Sequence, residues 1–74
     1  MIIVSGSGAY DTSKAIGYGF DKETGTTFQL LYPTEKGLNS VEVVRYKDKK
    51  AAYDAWVGFV SALARRCTIY EFPE

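Results

Sequence analysis

Residues 15–32 read A-I-G-Y-G-F-D-K-E-T-G-T-T-F-Q-L-L-Y, and this stretch decides the fold because it predicts a β-hairpin. Large and small residues alternate from Ala15 to Phe20, and a second alternating run extends from Thr26 to Tyr32. Alternation of this kind is typical of strands with one buried face. Residues 21–25 form the expected loop between them, in which Gly25 supplies the positive φ that closes the turn.

Shorter segments on either side predict further strands. Met1–Val4 is apolar on both faces and β-branched, which is typical of a short covered strand, and residues 5–13 are expected to form a loop. Pro33 is expected to end the second hairpin strand because proline has no N–H to donate to a ladder. After a turn marked by glycine and asparagine, Val41–Tyr46 and Thr68–Phe72 are predicted as the remaining strands.

The spacing of apolar residues predicts one amphipathic helix over residues 49–66, with Asp48 as its N-cap. The large residues on one side of its 3.6-residue period are Trp56, Phe59, Val60 and Leu63. The predicted order is β-β-β-β-α-β. It indicates a single compact α+β domain over residues 1–74, with a small, mostly antiparallel sheet of four to five strands and the helix packed on one face.

The composition favours a folded binding protein over an enzyme. Hydrophobic residues make up 46% of the chain and aromatic residues 15%, whereas disordered chains are poor in both. Histidine, the commonest general base and metal ligand, does not occur in the sequence. The lone Cys67 can form neither an internal disulfide nor a thiolate metal site. We therefore expect no catalysis, no metal and no cofactor, and, with no signal peptide or membrane-length apolar run, a cytoplasmic protein.

Nine Lys and Arg residues balance nine Asp and Glu residues, and a net charge of zero argues against a general polyanion binder. Four of the nine cations nevertheless lie within residues 45–50: Arg45, Lys47, Lys49 and Lys50. Lys49 and Lys50 occupy the first helical turn, where the helix dipole disfavours positive charge. This cluster has two interpretations, a patch that binds nucleic acid or an acidic partner, and a solvated helix start, which the net charge favours.

Small residues follow one side of the predicted helix, at Ala51, Ala55, Gly58 and Ala62. Glycine within a helix costs about 1 kcal/mol relative to alanine, so its presence requires a reason. We interpret the stripe as a docking surface for a partner or a second copy of the chain; the alternative is the edge of the helix–sheet contact. Six tyrosines exceed what a thin core can bury, so we also expect some of them, including Tyr53, at an interface.

Gly17 and Gly19 leave one face of the first hairpin strand without side chains. A flat face of this kind suits a ligand or a partner, or it gives room to a large side chain of the same domain. We expect the second arrangement, with Trp56 lying across the two glycines, because a thin core needs space for its one tryptophan.

Two segments resemble known families. Residues 13–32, S-K-A-I-G-Y-G-F-D-K-E-T-G-T-T-F-Q-L-L-Y, resemble the opening hairpin of the KTSC domain, a small family with a suggested RNA link. The later residues depart from that family, so no residue role is carried over. Residues 45–56, a strand followed by a capped lysine-rich helix, are similar to the DNA-binding arms of phage integrases, which carry a basic excess that this chain lacks.

In size and in its lack of catalytic residues, the chain is similar in type to small phage proteins that inhibit host machinery, including some anti-CRISPRs. The sequence therefore predicts a small, non-catalytic interaction module of phage or mobile-element origin. Its expected partner is a larger host protein complex that it inhibits, or a second copy of itself as a homodimer. The alternative is a nucleic-acid-binding domain that uses the Lys/Arg cluster at the start of the helix.

Overall fold

The computed structural model describes residues 1–6 and 8–73, and within them the chain forms six strands, one α-helix and one short 3-10 helix. In chain order these are β1 (Ile2–Ser5), β2 (Gly8–Asp11), the 3-10 helix η1 (Thr12–Lys14), β3 (Gly17–Phe20), β4 (Thr27–Thr34), β5 (Gly37–Arg45), α1 (Lys49–Ala64) and β6 (Ile69–Glu71). The predicted α+β class is confirmed: strands precede the helix and one strand follows it.

The strands form two three-stranded sheets, in the orders β2-β1-β6 and β3-β4-β5. In the first sheet β1 pairs antiparallel with β2 and parallel with β6, and in the second every pairing is antiparallel. A parallel pair needs a long crossover connection. The chain between the parallel strands β1 and β6 is long enough, since it contains β2 to β5 and α1. The strands are therefore divided between two sheets where the sequence predicted one.

Strand β2 was not predicted, because residues 5–13 were expected to form a loop. Tyr10 pairs with Ile3 across the β1–β2 ladder and packs against the hydrophobic core, so a long-range contact stabilises a segment with little strand pattern of its own. Ser7, in the predicted turn, lies outside the described residues.

The prediction that Pro33 ends the second hairpin strand is wrong, since β4 continues to Thr34. The β3–β4 ladder ends at the pair Gly17–Leu31, so Pro33 has a strand neighbour on one side only. Proline is tolerated at such an edge position because no second ladder needs its N–H. The next turn accordingly lies at residues 35–36, and Gly37, with a φ of 132°, opens β5.

The predicted start of the helix is confirmed, because Asp48 Oδ1 accepts the N–H of Ala51 at 2.8 Å. The helix ends at Ala64, two residues before the predicted end at Arg66. Arg66 adopts a left-handed φ of 57°, and the N–H of Cys67 turns back to the carbonyl of Ala62 at 3.0 Å. This arrangement satisfies a terminal carbonyl of the helix and stops its propagation.

Aromatic rings fill the core between the helix and the strands. The Phe59 ring lies 5.2 Å from that of Phe28 and 5.6 Å from that of Phe72. The other buried residues of α1 are small: Ala52, Ala55 and Ala62. Val60, predicted on the core side, is 42% exposed, because the small side chains set which side of the helix approaches the sheets. No helix among the described residues is long and apolar enough to cross a membrane.

Candidate functional site

The small-residue stripe of α1 packs largely against the chain itself. Ala55 and Ala62 are only 1% and 3% exposed, and Ala51 is half-buried. A Cβ built on Gly58 would lie 2.5 Å from Tyr70 Oη. These positions match the alternative interpretation of the stripe, the edge of the helix–sheet contact.

In the structure, Arg45 differs from the three lysines of the basic cluster, because it is paired with an acidic side chain. Arg45 forms an ion pair with Glu42, with 2.8 Å between Nη2 and Oε1. Lys47, Lys49 and Lys50 are exposed together around the start of α1. The aliphatic stem of Lys49 lies over Gly25 of the hairpin loop, with Cε 3.6 Å from the position of an added Cβ.

A groove of about 520 Å³ lies between β3 and the N-terminal half of α1. Its lining is Tyr18, Gly19, Phe20, Gly25, Lys49, Ala52, Tyr53 and Trp56. We call this feature the aromatic groove, since four of these eight residues are aromatic. Concave, mostly apolar surfaces with few polar groups are typical of binding sites.

Alternation along β3 positions one wall of the aromatic groove. Tyr18 and Phe20 pair with the buried Leu30 and Phe28 of β4, so their side chains lie on the face that meets α1. The Tyr18 ring lies edge-on to Phe59 at 5.2 Å, and contacts of this kind hold it in place. The wall is therefore formed in the free chain.

Trp56 forms part of the opposite wall, which corrects its predicted position. Its ring lies 6.1 Å from Phe20 and 6.3 Å from Phe28, both on the α1 face of the sheet. It therefore does not lie across Gly17 and Gly19, which are on the other face. At Gly19 an added Cβ would have no heavy atom within 4 Å, so that face is open there, whereas at Gly17 it would lie 3.4 Å from Leu31 Cδ1.

The loop at the end of the aromatic groove is fixed by Asp21. Its carboxylate accepts the backbone N–H groups of Thr24 at 2.9 Å and Thr27 at 3.0 Å, with a longer bond of 3.2 Å from Thr26. These bonds, that from Thr24 first and then that from Thr27, hold the pKa of Asp21 well below its usual range. The ionised carboxylate therefore organises the turn that brings Gly25 to the groove.

Three residues of α1 continue the apolar surface outward. Tyr53, Val57 and Val60 are 65%, 45% and 42% exposed, and their i, i+4, i+7 spacing places them on one side of the helix. We call them the apolar strip. Tyr53 belongs to both the strip and the aromatic groove, so the two features form one surface. Contiguous exposed apolar surfaces mark interaction sites more often than scattered apolar residues do.

The open edge of β3 borders this surface. Asp21 donates its N–H to the carbonyl of Thr27 at 3.0 Å, which fixes the alternation of the β3–β4 ladder. By that alternation the N–H and C=O of Gly19 point toward β4, and those of Tyr18 and Phe20 point away from it. Within residues 1–6 and 8–73, no group bonds these outward N–H and C=O groups.

Strand β3 is a short edge strand of four residues, but it lacks the other usual features that protect an edge. Its sequence, Gly17–Phe20, contains no proline, no charge and no bulge, although such features normally prevent edge-to-edge pairing. The opposite edge strand, β5, is charged at Glu42 and Arg45, and its ladder is irregular opposite Phe28 and Gln29. Of these two edges, β3 has fewer features that would prevent another strand from pairing with it.

The six tyrosines differ in exposure and in the hydrogen bonds that their hydroxyl groups make. Tyr46 Oη donates to the carbonyl of Pro73 at 2.7 Å, and Tyr70 Oη donates to that of Ala55 at 3.3 Å. Burial, and to a lesser extent the neighbouring Tyr70, raises the pKa of Tyr46 to about 12. Tyr18 and Tyr53 are the exposed ones, at 40% and 65%. Tyr53 was predicted at an interface and Tyr18 was not singled out, although its place between two strand glycines was a usable indication.

Other candidate sites are less developed. A polar hollow of about 380 Å³ beside the hairpin loop contains Asp21, whose carboxylate already binds backbone N–H groups, and the paired Glu42 and Arg45. In the part of the chain that the structure describes, no three His, Cys, Asp or Glu side chains are grouped to hold a metal. Cys67 is half-buried at the end of the helix segment.

The chain matches no known family model, no curated protein and no solved structure.

Proposed function

We propose that this chain is a small, non-catalytic protein-interaction module that binds through the aromatic groove and the apolar strip. The observation that carries the proposal is the continuity of these two features, which run from Tyr18 across Trp56 and Tyr53 to Val60. Tyrosine and tryptophan are enriched among residues that dominate binding energy. Both supply large contact areas at a low cost in side-chain entropy.

The finer parts of the proposal concern the partner. A chain of 74 residues with zero net charge suits recognition of an apolar protein surface better than recognition of a polyanion. Its size, and the likeness in type to small phage inhibitors, support a larger host protein complex as the target, which it would inhibit in the cytoplasm. Self-association is the other form of protein binding that the same surface supports.

The test uses two charge insertions on the same helix. Tyr53→Glu places a carboxylate in the middle of the proposed surface. Ser61→Glu places the same charge on an exposed residue of α1 that belongs to neither the aromatic groove nor the apolar strip. Both residues are exposed, so both variants are expected to fold, which circular dichroism verifies. Quantitative affinity purification from a lysate of the organism that encodes the chain then compares them with wild type.

We expect proteins captured by wild type to be retained by Ser61→Glu and to fall at least tenfold with Tyr53→Glu. Burial of an uncompensated charge makes this loss large. Equal capture by all three forms would show that the surface is not the binding site.

Binding of single-stranded nucleic acid is the second candidate, and the position of Lys49 favours it. This lysine lies at one end of the aromatic groove beside Tyr53 and Trp56, with Lys47 and Lys50 nearby. Aromatic platforms flanked by cations are typical of proteins that stack single-stranded bases. Because Trp56 is the only tryptophan, its fluorescence reports directly on the groove during an oligonucleotide titration. A salt-dependent change would support this candidate, and no change at low salt would reject it.

A further inference from the structure

We infer that the aromatic groove and the open edge of β3 are covered by a second copy of this chain. Two β3 strands pair antiparallel about a two-fold axis through Gly19, which joins two β3-β4-β5 sheets into one. This inference rests on the proposed function, since it names the polypeptide that the surface binds.

The outward backbone groups of β3 complement themselves. The N–H and C=O groups of Tyr18 and Phe20 point away from β4 and have no partner among the described residues. When two such strands run antiparallel, Tyr18 of each copy lies opposite Phe20 of the other. The result is two hydrogen-bonded pairs, or four bonds, which satisfy every outward group of both strands.

Neighbouring registers satisfy fewer groups. A shift that places Tyr18 opposite itself would pair Phe20 with Ile16, whose N–H is already donated to Leu31 O at 2.8 Å. A shift that places Phe20 opposite itself would pair Tyr18 with Lys22, which lies in the hairpin loop beyond β3. Centring the axis on Gly19 is the arrangement that uses the outward groups of β3 fully.

Gly19, the residue on the two-fold axis, allows the two strands to approach closely. The two Gly19 residues form a pair without hydrogen bonds, in which Cα atoms approach to about 4.5 Å. On the other face, Tyr18 of one copy lies opposite Phe20 of the second, and aromatic cross-strand pairs stabilise antiparallel sheets. The two helices then lie on the same face of the joined sheet, with their apolar strips toward the axis.

The exposed apolar area fits a weak dimer. Fully buried aromatic side chains cover ~150–250 Å² each, so the exposed parts of Tyr18 and Tyr53 supply roughly 200 Å² per copy, and the partly exposed Val57 and Val60 raise the total to roughly 350 Å². With the strand edges, two copies bury about 1,000 Å², near the lower limit for a specific interface. A net charge of zero adds no long-range repulsion between copies. We therefore expect a dimer that depends on protein concentration.

Disulfide trapping tests the register. In a Cys67→Ser background, Gly19→Cys places two thiols opposite each other at a Cα separation that a disulfide accepts. The matched control, Gly17→Cys, lies on the same face of β3. In this register the Cα atoms of residue 17 in the two copies would be about 13 Å apart along the strands. With diamide as oxidant, we expect covalent dimer from Gly19→Cys at least tenfold faster than from Gly17→Cys. Equal rates would overturn the register.

Charge pairing tests the two-fold arrangement without oxidation. The open space at Gly19 accepts a side chain in the monomer, so Gly19→Lys and Gly19→Glu are expected to fold. In the dimer each would oppose its own charge across the axis, and like charges directly opposite are destabilising. Sedimentation equilibrium should show dimer for wild type, monomer for each variant, and dimer again for their equimolar mixture.

Two results separate this inference from the proposed function. If wild type stays monomeric to about 1 mM, a concentration at the weak end of protein affinities, while Tyr53→Glu still loses captured proteins, the second copy is rejected and the binding surface stands. If the Gly19 variants behave as wild type in a dimer, that dimer forms elsewhere and the inference is again rejected. A dimer that follows the Gly19 charges confirms it even where no other protein is captured.

Discussion

The glycine at position 58 is required by a contact with a residue that lies far along the sequence. Glycine is the poorest helix former except proline, yet Gly58 lies inside α1. Tyr70 explains its presence, because its hydroxyl reaches the carbonyl of Ala55 at 3.3 Å by passing over Gly58. A larger residue at this position would displace the tyrosine and break that bond.

We predict that Gly58→Ala lowers the free energy of unfolding by about 1–2 kcal/mol, since the clash and the lost bond outweigh the gain in helix propensity. In a Tyr70→Phe background the clash is relieved, and the same change should raise stability by up to about 1 kcal/mol. Urea unfolding of the four proteins gives the coupling energy. Equal effects in both backgrounds would contradict this explanation.

At the scale of elements, the β3–β4 hairpin depends on the loop that Asp21 organises. Its carboxylate accepts backbone N–H groups from Thr24, Thr26 and Thr27, and the hydroxyl of Thr24 also donates to it at 2.9 Å. Gly25, with a φ of 68°, completes the turn in a conformation that most residues avoid. The same loop presents Gly25 to the aromatic groove, so hairpin stability and groove shape are linked.

The lowered pKa of Asp21 predicts acid sensitivity. In the unfolded chain this carboxyl takes up a proton near its ordinary value of 3.8, whereas in the folded chain it stays ionised to lower pH. Its stabilising contribution is therefore complete above about pH 5 and is lost as pH falls through the folded pKa. Urea unfolding between pH 2.5 and pH 6 should show that Asp21→Asn is less stable than wild type near pH 6, with the difference shrinking below pH 4. A constant difference would exclude this linkage.

At the scale of the whole molecule, two sheets without a shared strand are held together by aromatic packing. Phe72 follows β6 and is 1% exposed, and its ring lies 4.7 Å from Phe28 of β4 and 5.6 Å from Phe59 of α1. One side chain therefore contacts an element of the second sheet and the helix. Removal of Phe72 should affect the entire fold.

We predict that Phe72→Ala lowers the free energy of unfolding by about 3–5 kcal/mol. Chains of this length have roughly 4–11 kcal/mol in total, so most of the stability is lost, and both sheets should unfold in one transition. The exposed Val57→Ala serves as control and should change stability by no more than about 0.5 kcal/mol. Hydrogen exchange that remains protected in β4 of Phe72→Ala, with loss confined to β6, would contradict this cooperativity.

Local chemistry explains which parts of the fold were predictable. The hairpin, the N-cap at Asp48 and the positive φ of Gly25 follow from neighbouring residues, and the structure confirms them. The helix end shifted because the left-handed Arg66 depends on how the chain returns toward β6. Strand β2 carried little pattern because its stability comes from its pairing with β1.

The sequence by itself determined the hairpin, the helix with its N-cap, the strand that follows the helix, and the presence of more aromatic residues than a small core can hold. Only the tertiary structure decided which side of α1 is buried, because Ala55 and Ala62 allow close packing that periodicity does not encode. It also decided that Tyr18 and Tyr53 remain exposed beside an open strand edge. Local patterns record the preferences of single segments, whereas burial depends on which segments meet, and that is settled by packing over the whole chain.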